Sequence, residues 1–245
     1  MKRVLFLCLA FTVALSACNK NDNDTPAARK NLLTKRTDSD GLVFNFTYDA
    51  SNRMVTWVRS SNPLNSAQNI TFTYNANNTL ASDFESISSR RNRYTYNADG
   101  SVSTKKSYSV SGVTETLTDE YTYTYGAGTV TENYVSTSTG NGFRQEYKYD
   151  AQGNQTEVKS YNTTPANPAG TYSGIVTYSG YDGKPHSNAS APAAFFFPST
   201  IKHNVGTVVY PFGTATYTYE YNADGYPTKK SENGALASTY EYQRL

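Results

Sequence analysis

The stretch Tyr94-Thr95-Tyr96-Asn97-Ala98-Asp99-Gly100 decides the fold, because copies of it recur along the chain. Each full copy has an aromatic residue, any residue, Tyr, then Asp or Asn, then Ala. The full copies are residues 46–52, 72–78, 94–100, 147–153 and 219–225, with a degenerate copy at 123–128 and a truncated one at 240–242. Self-similarity at a spacing of about 20 to 50 residues is the signature of a repeat architecture.

Each copy predicts a β-hairpin. Two aromatic residues at i and i+2 lie on one face of a strand, and a residue such as Thr95 between them lies on the other. A type I turn followed by a left-handed residue fits the rest of the copy, because it favours Asn or Asp first, accepts Ala second and needs Gly or Asn fourth. The turn-defining fourth residues are Asn52, Asn78, Gly100, Gly153 and Gly225.

The fold class that follows is all-β. About seven hairpins joined in order form an antiparallel meander, and we expect one strongly curled sheet or barrel-like shell because so long a sheet must curl to cover its aromatic face. All 22 Tyr residues lie after residue 17, so Tyr rings supply much of the core. Each buried Tyr needs a partner for its hydroxyl, which we expect at a wet rim of the sheet.

The repeats are interrupted at about residues 181–204. This loop insertion contains Phe195, Phe196 and Phe197, the most apolar patch after the N-terminal region. One interpretation makes these residues, together with Trp57, a contact for a ligand or partner. The other makes the three Phe residues a plug over an open end of the curled sheet, which avoids exposing a sticky patch.

The N-terminal region is typical of a bacterial lipoprotein precursor. Residues 1–17 form a leader with a basic start and a short apolar run, ending in Leu15-Ser16-Ala17 directly before Cys18. This pattern predicts cleavage before Cys18 and lipid on its thiol. We expect residues 18–40 to contain the lipidated Cys and a flexible tether, and residues 41–245 to form the β domain.

Charge narrows the range of partners. Removal of the leader takes Lys2 and Arg3 with it, which leaves 20 basic against 20 acidic residues. A formally neutral chain without a basic stripe is not typical of nucleic-acid binding. The expected partner is a membrane, reached through lipid on Cys18, and the expected place is the cell envelope, at the outer membrane with surface exposure as one option. The oligomeric state stays open.

The hairpin pattern resembles the YD repeat of Rhs-type bacterial proteins, in which such hairpins build a hollow β shell. Residues 149–154, Tyr-Asp-Ala-Gln-Gly-Asn, match the repeat most fully, and the resemblance covers most of residues 42–245. In large Rhs proteins the shell encloses a toxin. This chain is more similar to small bacterial lipoproteins with degenerate YD-like repeats, a resemblance that implies no activity.

No pattern predicts catalysis, a cofactor or a metal. His186 and His203 lack metal-ligand spacing, and phosphate-binding and hydrolase motifs are absent from the sequence. A glycosidase needs two carboxyls at a set separation, and the pair Asp119 and Glu120, or Glu132 near the adjacent strand, could imitate one. We therefore expect a non-enzyme and keep a glycan-processing enzyme as a second alternative.

Two functions of different classes remain. A Tyr-rich β surface can stack on sugar rings, so the first is a surface binding module for a glycan or another envelope component. The second is a structural or adhesive scaffold that displays loops or assembles through sheet edges.

Overall fold

A computed structural model describes residues 31–199 and 202–245, which form sixteen strands and two short helical turns. The first eight strands are β1 (Asn31–Asp38), β2 (Val43–Tyr48), β3 (Met54–Arg59), β4 (Gln68–Tyr74), β5 (Leu80–Glu85), β6 (Arg90–Tyr96), β7 (Val102–Ser111) and β8 (Thr114–Gly126). The others are β9 (Thr129–Ser136), β10 (Gly142–Tyr149), β11 (Gln155–Thr164), β12 (Asn167–Ser179), β13 (Thr207–Tyr210), β14 (Gly213–Tyr221), β15 (Pro227–Glu232) and β16 (Ala235–Arg244). Between β12 and β13 lie a 3₁₀ turn, Ser187–Ser190, and a single α-helical turn, α1 (Ala193–Phe196).

The strands form a closed antiparallel barrel, which confirms the predicted all-β meander. Each strand pairs with its neighbours in sequence, and β1 pairs with β16 to close the ring, with Arg36 opposite Tyr240. Seven strand pairs, from β2–β3 to β14–β15, connect at one end of the wall as predicted, and the terminal strands β1 and β16 complete the sixteen. Closure leaves no free edge among the described strands, so assembly through sheet edges, one form of the scaffold alternative, is not available to this barrel.

The barrel begins earlier than the sequence predicts, at Asn31 rather than residue 41. The stretch assigned to the end of the tether is strand β1, which lies between β2 and β16. Leu32 and Leu33 are each 1 % exposed. Two adjacent apolar residues among polar neighbours do not show the alternation of a strand. They are buried because β1 closes the ring between β2 and β16. The leader and Cys18 lie outside the described residues.

The repeat turns have the geometry that the sequence pattern requires. Asn52, Asn78, Gly100, Gly153 and Gly225 all have positive φ, between 61° and 84°. In the first turn the Asn52 N–H donates to the Asp49 carbonyl, and the Asp49 N–H donates to the Arg53 carbonyl, each at 2.9 Å. The pairing register shifts by one residue at the second Tyr of each of these five copies, as a bulge after a left-handed residue produces.

The outer face of the wall is polar. Neighbouring strands present Thr hydroxyls in contact, such as Thr95 and Thr104 with their Oγ1 atoms 2.7 Å apart. Ion pairs lie on the same face, such as Lys148 with Glu157 at 2.8 Å. A barrel that spans a bilayer carries a continuous apolar band about 25 Å tall outside. This wall presents hydroxyls and charges, which favour water, alongside separate exposed apolar side chains such as Val58, Val135 and Val209.

The inner face holds the two aromatic residues of each repeat. The first aromatic residue of a copy is buried, as Phe46, Phe72 and Tyr94 are. The second Tyr donates its hydroxyl to a main-chain carbonyl of the preceding hairpin, and not to water at a rim as expected. The bonds are Tyr74 to Met54 O, Tyr96 to Leu80 O, Tyr125 to Val102 O and Tyr242 to Pro227 O, at 2.6 to 2.9 Å. These bonds join successive hairpins.

The two ends of the barrel differ. Antiparallel pairing places all the repeat turns at one end, called here the turn end, where β1 begins and β16 also ends. The other end, the far rim, consists of the loops that join one hairpin to the next. No helix within residues 31–199 and 202–245 is long and apolar enough to cross a membrane.

Candidate binding site inside the barrel

The segment between β12 and β13 lies across the turn end and packs into the barrel. Phe195 of α1 contacts Trp57 of β3 and Phe72 of β4, with ring centroids 5.1 and 5.0 Å apart. Phe197 contacts Tyr123 and Tyr125 of β8, with centroids 5.0 and 5.9 Å apart. The segment therefore joins strands on different sides of the ring.

The four aromatic residues that the sequence left open are brought together. Phe196 lies 5.4 Å from Trp57 and 5.0 Å from Phe195, and both Phe195 and Phe197 pack against the buried core. Their geometry is that of a plug. They do not form an exposed ridge, and a ligand that reached them would have to displace the segment.

Hydrogen bonds fix the segment along its length. Tyr149 donates to the carbonyl of Pro198, and the Tyr48 and Ser190 hydroxyls lie 2.9 Å apart. Near the end of the segment, His203 Nδ1 lies 2.8 Å from the side-chain oxygen of Asn154. His186 Nδ1 accepts the Asn188 N–H at 3.2 Å. Both histidines of the chain thus have hydrogen-bond partners within the structure.

Inside the wall, carboxylates satisfy the hydroxyls of the first-position tyrosines. Tyr94 donates to Asp83 at 2.6 Å, and Asn92 donates to the same carboxyl at 2.9 Å. Tyr123 and Tyr147 donate to the two oxygens of Glu132 at 3.0 and 3.1 Å. Burial raises the pKa of both Asp83 and Glu132, and these hydrogen bonds oppose that rise.

Lys105 is the cation of this interior cluster. Its Nζ lies 3.7 Å from the centre of the Tyr121 ring. Burial lowers the pKa of Lys105, while the charges of Glu132 and Asp83 raise it. This cluster was not among the sites expected from the sequence. The signal available was that Tyr replaces Phe as the first aromatic residue at 94, 123 and 147, where a buried hydroxyl requires a partner.

The carboxylate pairs considered for glycoside cleavage are not assembled. Glu120 lies on the outer face, where it pairs with Lys106 at 3.1 Å. Asp119 and Glu132 both face inward, but Ser136 is the residue opposite Asp119. The backbone positions of Asp119 and Glu132 are therefore offset by four residues along the sheet, about 13 Å, whereas the carboxyls of a glycosidase pair lie roughly 5 to 9.5 Å apart.

A cavity of about 350 Å³ lies beneath the 3₁₀ turn on the opposite side of the interior. Polar groups of both signs reach it: Arg36 pairs with Asp38 at 3.1 Å, and Ser238 donates to Asp38 at 2.7 Å. Lys230 lies over the ring of Tyr217, 4.8 Å from its centre. Further rings line the cavity, those of Tyr178, Tyr210, Tyr219 and Tyr240.

The charge state of this cavity is set by burial. Burial lowers the pKa of His186 to about 4, so the imidazole is neutral near pH 7. Burial also lowers the pKa of Lys230, whereas Glu232 and Asp38 raise it. The lining therefore carries two basic side chains, Arg36 and Lys230, and one carboxylate, Asp38. Aromatic faces beside donors and acceptors of both kinds suit a small, uncharged, polar ring molecule.

The described residues contain no group of three or more His, Cys, Asp or Glu side chains placed to hold a metal ion. No protein-family model matches the sequence, and no curated protein matches it. Among solved structures, a porin-like protein from Bacteroides uniformis is 12 % identical with a TM-score of 0.54, covering 86 % of this chain and 96 % of that one. A porin-like protein from Bacteroides vulgatus is 14 % identical with a TM-score of 0.46, covering 88 % and 100 %. At such identity the first likeness shows a shared fold and nothing further.

Proposed function

We propose that this chain is a non-enzymatic cell-envelope lipoprotein, anchored by lipid on Cys18, whose plugged barrel binds a glycan in the cavity beneath the 3₁₀ turn. Lipid on Cys18 would hold the protein at the outer membrane. The repeats belong, in this proposal, with those of small YD-like lipoproteins. The Tyr-lined cavity is the observation that carries the binding function.

The chemistry of the cavity supports a sugar over other small ligands. Sugar rings have apolar faces that stack on aromatic side chains and hydroxyls that both donate and accept. The Asp38 carboxylate can accept such bonds, and Arg36 and Lys230 can donate them. A volume of about 350 Å³ lies at the lower end of the range of ligand pockets, which suits one or two sugar units.

The polar outer wall supports an anchored barrel over a spanning one. Thr and ion-paired Lys and Glu side chains keep the wall in water, so a lipid on Cys18 would provide the attachment. Radiolabelled palmitate should enter the wild-type protein in a bacterial host and should not enter Cys18→Ser. A mature N-terminus at any residue other than Cys18 would contradict the anchor.

The binding function is tested on a glycan array, followed by isothermal titration calorimetry of each glycan that binds. Tyr217→Ala removes a ring from the cavity, and we expect its affinity to fall about tenfold or more, equivalent to ~1.4 kcal/mol. The matched control is Tyr108→Ala on the outer wall, where Tyr108 lies under Arg93. Absence of any binding, or equal loss in both variants, would favour the scaffold alternative.

A further inference from the structure

The far rim of the barrel concentrates exposed apolar side chains. Val113 and Phe212 are fully exposed, at 102 % and 99 %, and Leu64 is 87 % exposed. Ile87 and Leu236 are exposed by half or more. Each of these residues lies in, or within two residues of, a different loop of the far rim, so five of the eight far-rim loops present one apolar tip.

The loops that carry these tips are almost without charge. Residues 60–67, 86–89, 112–113, 211–212 and 233–234 contain only Ser, Asn, Pro, Gly, Ala and the apolar tips. Within the bounds of the eight far-rim loops Asp40 is the one charged residue, while Glu85 and Arg59 at adjoining strand ends are hydrogen-bonded to the backbone of two tip-bearing loops. The turn end is the opposite, since its five repeat turns carry Asp49, Asp99, Asp150 and Asp224. The asymmetry follows the axis of the barrel.

We propose that the far rim docks on the surface of a lipid bilayer, with the apolar tips inserted among the acyl chains. A protein partner binds through a contiguous apolar centre, whereas these tips stand apart around a ring. A bilayer deforms around separate insertions, and the neighbouring Ser and Asn side chains can lie at the level of the headgroups. The near absence of loop charge removes the cost of bringing ions to the interface.

The length of the N-terminal region permits this orientation together with the proposed anchor. The longest strands, β8 and β12, have 13 residues, so the wall is at most ~44 Å high. Residues 18–30 can span up to ~47 Å when extended. A lipid on Cys18 and the far rim can therefore reach the same bilayer, although β1 begins at the turn end.

Sedimentation with vesicles tests the rim without the anchor. The chain from residue 18 onward with Cys18→Ser contains every described strand and carries no lipid. We expect it to partition onto phosphatidylcholine vesicles, and to do so equally when half the lipid is phosphatidylglycerol. The triple variant Leu64→Ser, Val113→Ser and Phe212→Ser should lose about tenfold or more of its partitioning. The control Leu245→Ser, at the turn end, should retain it.

A fluorescence measurement identifies the inserted face. In Phe212→Trp, the emission that the new Trp adds to that of Trp57 should shift to shorter wavelength when vesicles are added. In Leu245→Trp, the added emission should not shift. Failure of the parent chain to bind vesicles, or equal binding by the triple variant, would overturn the proposal. Loss of self-association in the triple variant without vesicle binding would also overturn it, in favour of a second copy of the chain at the rim.

Discussion

Two regions, the repeat wall and the plug segment (residues 181–204), are stabilised by different kinds of contact. Contacts in the wall join residues close in sequence, and contacts in the plug segment join residues far apart in sequence. In the wall, each hairpin bonds to its neighbour, as Tyr96 does to the Leu80 carbonyl. In the plug, Ser190 contacts Tyr48, 142 residues away in sequence. The wall therefore follows from a short pattern, whereas the plug depends on closure of the whole ring.

Tyr149 shows where the two regions meet. By its position in the repeat it would bond to the preceding hairpin, as Tyr125 does to the Val102 carbonyl. Its hydroxyl instead donates to Pro198 in the plug. Tyr221 likewise donates to Asp182 of the insertion. Two wall bonds are thus exchanged for bonds to the insertion, which is therefore part of the barrel's hydrogen-bond network as well as its core.

The largest expected loss of stability comes from truncating the aromatic side chains of the plug. Replacing Phe195, Phe196 and Phe197 by Ser should lower the free energy of unfolding by ~3 kcal/mol or more, since truncating one fully buried Phe costs ~3–5 kcal/mol and these three are each partly buried. Phe212→Ser, at a fully exposed Phe, is the control and should change stability by less than ~0.5 kcal/mol. Thermal denaturation compares them. Equal melting temperatures would show that the plug does not pack inside.

An intermediate effect is expected inside the wall. Lys105→Met removes a cation that acts on both Asp83 and Glu132 and should cost ~3 kcal/mol, because the hydrogen bonds that these buried carboxylates accept do not replace its charge. Lys148→Met, which breaks an outer ion pair, should cost no more than ~1 kcal/mol. Urea denaturation at neutral pH measures both. If the two losses are equal, the interior cluster is not as buried as described.

The stability lost in Lys105→Met should depend on pH, in a direction set by Asp83 and Glu132. Burial already raises the pKa of Asp83 and Glu132, and loss of Lys105 raises both further. A carboxyl whose pKa is raised by folding favours the folded state more as pH falls through that pKa. The deficit of Lys105→Met relative to the wild type should therefore shrink as the pH falls below neutrality, and a deficit that grows would contradict the assignment.

The smallest effect concerns one turn of the wall. Gly225 has a φ of 84°, and a Cβ there would meet no atom within 4 Å. Gly225→Val therefore costs backbone strain alone, ~1–3 kcal/mol, while Ala223→Ser in the same turn should be nearly neutral. Calorimetry of both variants tests the turn type. Matching melting temperatures would contradict it.

The wall could be predicted from sequence because its rules are local. The fourth residue of each turn, such as Asn52 or Gly100, was expected to have positive φ. The spacing of the aromatic residues placed two rings on one face of each strand. The interior charges could not be predicted by simple alternation. A bulge after each turn shifts the register, so that Leu80 and Asp83, three residues apart, both face inward.

The plug and the cavity were beyond sequence reasoning for a different reason. The sequence shows that Phe195 and Trp57 are apolar and does not show that they touch. Their contact depends on which strands the closed ring places opposite α1. The cavity likewise combines Arg36 of the first strand with Tyr217 and Lys230 near the end of the chain. Such neighbours exist only after β1 pairs with β16.

The emission of Trp57 tests the plugged barrel most directly, because it is the only Trp in the chain and lies against Phe195 and Phe196. The structure predicts emission at short wavelength and slow quenching by acrylamide in the folded protein. Phe195→Ser with Phe196→Ser should shift the emission to longer wavelength and speed quenching, while Phe212→Ser should change neither. A wild-type Trp57 that emits as in water and is freely quenched would contradict the plug.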